Sequence, residues 1–138
     1  MREALKEAHK AAELDEVPVG AVVVANGRII ARAHNLTERL NDVTAHAEMQ
    51  VITAAANALG GKYLLDCTAY ITLEPCVMCA GALAWSQISR VVLGAADAKK
   101  GFTRISPDIL HPKTQLEQGL LAEESEKLLK EFFARKRH

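Results

Sequence analysis

Four residues of this sequence could combine metal binding with proton transfer: His46, Glu48, Cys76 and Cys79. The two cysteines form a Cys-x-x-Cys pair directly after Glu74-Pro75, and such a pair suits a zinc site, a redox centre or two buried thiols. His46 adds a third protein ligand, one fewer than the four that close a structural zinc site. We therefore expect an open zinc site at which water holds the remaining position.

Glu48 is the residue that would make such a site catalytic, because a carboxylate beside metal-activated water can accept a proton and pass it on. Residues two apart on a helix do not share a face, so His46 and Glu48 can serve one site only at the very end of a helix. A thioredoxin-like redox centre is the alternative for the cysteine pair, but it leaves His46 and Glu48 without a role.

Length and composition indicate an ordinary globular protein. The 138 residues fit one domain, so we expect a single unit over residues 1–138, and 49% of the residues are hydrophobic and 25% charged. No apolar run approaches the roughly 20 residues of a membrane span, and no secretory segment opens the chain. Three cysteines, two of them in a ligand-like pair, favour a reducing compartment, so we predict a cytoplasmic location.

The charge balance argues against a general affinity for nucleic acid. Lysine and arginine together number 17, as do aspartate and glutamate, so no global basic field is present. Two local basic clusters remain, the terminal Arg135-Lys136-Arg137-His138 and a loop with Lys99, Lys100 and Arg104. The sequence alone favours ordinary solvated surface for both clusters.

Hydrophobic periodicity predicts an α/β protein. Helices are expected over residues 1–14, 45–59, 76–86 and 123–135, and strands over residues 19–25, 29–33, 68–73, 89–95 and within 114–121. Asn26-Gly27 predicts a hairpin between the first two strands, and the strand–helix–strand order around residues 76–86 predicts a parallel pair, so the sheet should be mixed. Thr44 is the expected N-cap of the second helix, which is apolar on nearly all sides and should be buried.

The chain resembles the tRNA-specific adenosine deaminases of the cytidine deaminase-like superfamily over nearly its whole length. The His-x-Glu and Pro-Cys-x-x-Cys motifs are those of the zinc deaminases. The flanking residues that carry the closer resemblance lie at 16–21, 33–35, 42–49, 73–82, 94–99 and 132–133. The resemblance implies a three-layer α/β/α fold with a mixed five-stranded sheet, a homodimer, and hydrolysis of adenosine to inosine at the wobble position of a tRNA anticodon stem-loop.

The resemblance also implies a role for each site residue. One zinc ion per subunit would be bound by His46, Cys76 and Cys79, and Glu48 would shuttle the proton. The substrate contacts would be Asn35, which hydrogen-bonds the base, Val19, Ala45 and Leu73, which line its pocket, and Asp97, which contacts the neighbouring nucleotide. Simpler readings stay open for three of these: Asn35 as a cap of the strand end, Val19 as a core residue and Asp97 as a turn former.

Two differences from the family bear on the substrate. Ala96 stands where relatives often have a basic residue, and the segment after His111-Pro112 is several residues shorter. A free base or nucleoside, guanine or cytosine, is therefore the alternative substrate, and a non-catalytic zinc-binding interaction module is a remote third reading. Outside the site, Cys67 should be a buried thiol, and Met78 and Trp85 should lie in the core or on a dimer face.

Overall fold

The first two strands form the hairpin that Asn26-Gly27 predicts. In the computed structural model, which describes residues 1–137, β1 (Gly20–Ala25) and β2 (Arg28–His34) pair antiparallel. Asn26 and Gly27 have φ angles of 53° and 74°, the left-handed conformations that a two-residue type I′ turn requires. The hairpin prediction is confirmed.

The remaining strands complete a mixed sheet in the order β2-β1-β3-β4-β5. β3 (Cys67–Leu73) pairs antiparallel with β1 and parallel with β4 (Arg90–Ala95), and β5 (Gln115–Glu117) pairs parallel with β4 at the edge. The predicted mixed five-stranded sheet is confirmed. Its edge strand is only three residues long, shorter than the segment expected to contain it.

Two pairs of helices cover the two faces of the sheet. On one side, α1 (Arg2–Glu13) and α4 (Ala122–Lys136) contact the sheet and each other. On the other side, α2 (Ala47–Leu59) contacts the sheet, and α3 (Val77–Ser86) packs against α2. The three-layer α/β/α architecture is confirmed. Within residues 1–137, no helix has the length and apolar character needed to cross a membrane.

The start of α2 differs from the prediction, because Thr44 is not its N-cap. The N-cap is His46, in an extended conformation, and the N–H of Ala47 is bound by Asn35 Oδ1 at 2.8 Å. Thr44 instead donates both its N–H and its hydroxyl to Asp42 Oδ1, at 2.8 and 2.7 Å. A side chain distant in sequence thus supplies the bond that a local cap would have made.

α2 is also less buried than its apolar sequence suggests. Its buried residues form one face of the helix and comprise Ala47, Glu48, Val51 and Ala55. The opposite face is exposed or half-buried in the single chain, so an apolar surface lies on the outside of this layer.

Part of the segment predicted as a loop belongs to the core. Residues 102–104 form a short 3-10 helix, and Phe102 is fully buried against the main hydrophobic cluster. Its N–H donates to Pro75 O at 2.9 Å, which ties this turn to the segment just before Cys76. The connection between β4 and β5 is therefore anchored close to the predicted zinc ligands.

Candidate active site

The three predicted zinc ligands converge in the structure. His46 Nδ1 lies 3.8 Å from Cys76 Sγ and 3.4 Å from Cys79 Sγ, and the three donor atoms all lie within 4.8 Å of one another. Zn–S bonds of about 2.3 Å and Zn–N bonds of about 2.0–2.1 Å, at tetrahedral angles, require S···N separations of about 3.6 Å. The donor set therefore fits one zinc ion with one position left for a non-protein ligand.

Helix starts create this convergence. His46 is the N-cap of α2 and Cys76 the N-cap of α3, with extended ψ angles of 153° and 173°. The sequence predicted that both cysteines are helical, but only Cys79, the third residue of α3, lies within the helix. Because an N-cap lies outside the helical repeat, His46 and Glu48 can face one site although they are two residues apart.

The electrostatics of the cysteine pair favour metal binding. The pKa of Cys76 is lowered to about 5, mainly by the hydrogen bond from the S–H of Cys79, with smaller contributions from the backbone N–H groups of Cys79 and Met78. The same contact with Cys76, together with burial, raises the pKa of Cys79. Near neutral pH the pair therefore holds one thiolate, at Cys76. A metal cation bound between the two sulfurs would also stabilise Cys79 as a thiolate.

Glu48 lies in the first turn of α2 with only 4% of its surface exposed. Burial raises the pKa of its carboxyl to about 7, where a carboxylate can both accept and return a proton at neutral pH. The chain thus places a proton carrier with a suitable pKa two residues from a metal ligand.

A cavity of about 990 Å³ opens over this group. It brings together His46, Glu48 and Cys76 with four of the predicted substrate contacts: Val19, Asn35, Leu73 and Asp97. Cys79 is fully buried behind the wall. Ala45 is buried but does not line the cavity, and its C=O accepts the N–H of Leu36 at 3.0 Å. Its contact with a base stays a prediction.

The polar residues on the cavity wall already make bonds within the chain. Asn35 uses Oδ1 to bind Ala47 N–H, so it caps α2 rather than the strand end, and only its amide NH₂ remains for a base. Asp97 Oδ1 accepts the N–H groups of Lys99 and Lys100, both at 3.0 Å, which is the turn-forming arrangement. The substrate roles of Asn35 and Asp97 stay predictions. They would depend on the amide nitrogen of Asn35 and on Oδ2 of Asp97, since Oδ1 of each side chain binds backbone N–H groups.

Two parts of the wall were not assigned from the sequence. Glu74 lines the cavity and is 4% exposed; its place directly after a strand end and before Pro75-Cys76 could have indicated a role. The other part is α4 with its C-cap Arg137; the helix itself contributes Leu129, Lys130, Phe133 and Lys136. No local pattern indicates that a helix so late in the chain covers a site built from residues 46–79.

Cys67, Met78 and Trp85, which the sequence analysis placed outside the site, differ in their burial. Cys67 is buried, as predicted, and burial raises the pKa of its thiol. Trp85, however, has 85% of its surface exposed and Met78 36%, so core packing within this chain explains neither. Both belong to the outer surface of α3.

Comparison with known proteins assigns this fold and site to a family. The model for the cytidine and deoxycytidylate deaminase zinc-binding region matches residues 1–95, which include all three donors and Glu48. The class is therefore that of zinc-binding deaminases, and the site is hydrolytic. The chain belongs to this family and, within it, to the tRNA-specific adenosine deaminases, which confirms the resemblance read from its motifs.

Three relatives illustrate the match. A tRNA-specific adenosine deaminase of Bacillus subtilis is 49% identical, over 96% of this chain and 86% of that protein. A solved structure from a study of A-to-I editing by tRNA:A34 deaminases at the wobble position is 46% identical, with a TM-score of 0.87, over 94% of this chain and 97% of that one. A guanine deaminase structure from Bacillus subtilis is 32% identical, with a TM-score of 0.68, over 99% of this chain and 91% of that one.

The donor set makes a direct prediction about zinc content. The purified protein should hold one zinc per chain by mass spectrometric metal analysis, and Cys76→Ser or Cys79→Ser should lose most of it, because each removes one of three protein ligands. Cys67→Ser is the matched control, a buried thiol outside the donor set, and should keep full zinc content. Equal zinc in all three variants would contradict the assignment.

Proposed function

We propose that this protein hydrolyses adenosine to inosine at the wobble position of a tRNA anticodon loop and releases ammonia. The observation that carries the proposal is a His/Cys/Cys donor set beside a buried carboxylate on the wall of one cavity. Relatives that share 41–49% identity over nearly the whole chain bear the name tRNA-specific adenosine deaminase.

Each site residue has a definite task in this reaction. Zinc, when bound, lowers the pKa of a water molecule to about 7 and so supplies a nucleophile for C6 of adenine. Glu48 accepts a proton at its buried carboxylate, donates it to the purine ring and later assists the departure of the amino group as ammonia. The NH₂ of Asn35 holds the base edge, while Val19 and Leu73 supply apolar walls.

The charges around the cavity support an RNA substrate. Five cations from two separate segments of the sequence line the cavity, and this set, here called the basic rim, consists of Lys99, Lys100, Lys130, Lys136 and Arg137. All five are exposed. Lys136 is paired with Asp15, and the other four cations form a local basic cluster at the cavity, of the kind that attracts phosphates, although the net charge of the chain is zero.

The free-base alternative has less support. The comparisons do not favour it, since the guanine deaminase structure shares 32% identity with this chain against 46% for the A34 deaminase structure. A basic rim would also serve no purpose for a neutral purine or pyrimidine. The zinc-binding interaction module leaves the buried carboxyl of Glu48 unexplained.

We further propose that the chain forms a homodimer through the layer of α2 and α3. These two helices contact each other and expose the large apolar residues Leu59, Val77, Met78 and Trp85. Exposed apolar surface of this kind is typical of protein interfaces. The cytoplasmic location expected from the cysteine usage stays a prediction.

Trp85→Asp tests the dimer. Light scattering after size exclusion should give about twice the chain mass of 15.0 kDa for the unchanged protein and a large shift toward the monomer for the variant, because a buried unpaired charge is costly. Ile105→Asp is the control, since Ile105 is also well exposed but lies outside this layer. A monomeric unchanged protein would refute the proposal.

Glu48→Gln tests the mechanism and the substrate together. The variant should retain zinc and lose at least about 100-fold in kcat on an adenosine-containing anticodon stem-loop, since Gln cannot carry the proton. Ammonia release from the stem-loop, free guanine and free cytosine by the unchanged protein separates the substrate classes. Activity confined to a free base would overturn the tRNA assignment, and an active Glu48→Gln variant would overturn the mechanism.

Lys130→Gln tests the basic rim. Stem-loop affinity is measured across salt concentrations in the inactive Glu48→Gln background. Loss of one phosphate contact should flatten the slope of log K against log salt by about 0.7–0.9. Lys127→Gln on the same helix removes an exposed charge outside the cavity and should leave the slope unchanged. Equal effects would mean that the cavity cations have no special role.

A further inference from the structure

The carboxylate of Glu74 is a buried acceptor that serves one loop. Its Oε1 accepts the N–H of Asp97 at 3.1 Å, and its Oε2 accepts the N–H and the hydroxyl of Thr103 at 3.0 and 2.6 Å. Both ends of the segment 97–103, here called the mouth loop, are therefore bound to one side chain that is 4% exposed.

Gly101 gives independent evidence that this contact shapes the mouth loop. A Cβ at Gly101 would lie 2.3–2.5 Å from the carboxylate atoms of Glu74, too close for any side chain. The loop backbone thus closes directly over the carboxylate, which only glycine allows here. Further bonds order the same turn, from Gly101 N–H to Asp97 O at 2.9 Å and from Arg104 to Lys99 O at 2.6 Å.

The mouth loop supplies part of the cavity wall. Residues 96–100 all line the cavity, and two of them, Lys99 and Lys100, belong to the basic rim. Their backbone N–H groups bind Asp97, whose own N–H binds Glu74, so the position of these lysines is linked to the buried carboxylate through two hydrogen bonds. Glu74 also lies two residues before the N-cap Cys76, which ties the loop to the metal-ligand segment.

We propose that Glu74 is a positioning residue for substrate recognition: its carboxylate holds the mouth loop so that Asp97, Lys99 and Lys100 face the bound RNA. The inference rests on the proposed function, because it takes the ligand to be a polyanion. Glu74 itself takes no part in the proton transfers, which belong to Glu48.

Substitution by glutamine removes this function with little change in shape. A carboxylate accepts at both oxygens, whereas a glutamine amide accepts at one position and donates at the other. In either orientation Glu74→Gln therefore directs an NH₂ group at the N–H of Asp97 or at the N–H and hydroxyl of Thr103. Gly101→Ala should have the same effect by displacing an intact carboxylate, and Gly61→Ala, with open space around its Cβ, is the matched control.

The test compares these zinc-loaded variants on an adenosine-containing anticodon stem-loop. Glu74→Gln and Gly101→Ala should raise KM by about tenfold or more, the loss expected for hydrogen bonds to a charged group, with a much smaller change in kcat. Zinc content should stay at one per chain, and hydrogen exchange at residues 96–104 should accelerate relative to Gly61→Ala.

Each other outcome overturns the inference. Unchanged KM and unchanged loop exchange would make Glu74 a passive core residue, and loss of zinc with an equal fall in kcat would assign it to the metal centre. Where Glu74→Gln does not fold, Gly101→Ala and the milder Thr103→Val, which removes one hydroxyl bond, give the same readouts. Exchange and zinc content do not depend on the substrate, so faster loop exchange in a protein that deaminates only a free base would refute the proposed function and the role in RNA recognition, while the ordering of the mouth loop by Glu74 would stand.

Discussion

The structure depends on the placement of metal donors at helix N-caps. An N-cap residue is extended, so its side chain can turn back over the helix end, where unpaired N–H groups and the helix dipole favour negative charge. His46 and Cys76 occupy such positions on two helices of one layer, and Cys79 completes the set from inside the second helix. The starts of α2 and α3 must therefore be held in a fixed relation to the sheet, and the cap of α2 by Asn35, from the end of the β1–β2 hairpin, provides one such link.

This arrangement separates the reaction chemistry from substrate capture. The donors and Glu48 come from residues 46–79, the part of the chain matched by the deaminase family model, whereas much of the basic rim comes from α4 near the end of the chain. In the first set Glu48 and Cys79 are buried and His46 and Cys76 are half-buried, and burial or close contacts shift the pKa values of Glu48 and Cys76; the second set is exposed, where charges interact through a screened field. One cavity joins the two sets, with the exposed cations at its mouth and His46, Cys76 and Glu48 on its inner wall.

The sequence predicted features that depend on local chemistry and missed those that depend on distant partners. Asn26-Gly27 defines its turn without help from the rest of the chain, and the zinc donors are fixed by residue type and spacing. Thr44 looked like a helix cap because a cap is normally local, but Asn35, which directly follows β2, binds the start of α2 instead. Phe102 lies in a turn-rich segment without periodicity, and nothing nearby in sequence indicates that this ring completes the core.

Two buried carboxylates near the cavity, those of Glu16 and Glu74, form no ion pair within residues 1–137 and bind loop backbone instead. Glu16 is 1% exposed and accepts the N–H groups of Glu38 and Arg39 at 3.0 and 2.7 Å, just as Glu74 accepts those of Asp97 and Thr103. Each carboxylate thus accepts backbone N–H groups of a loop segment that has no strand partner of its own. A loop held in this way keeps its outward side chains free, because its backbone is satisfied from behind. The mouth of the cavity can therefore be polar and charged while its backbone stays ordered.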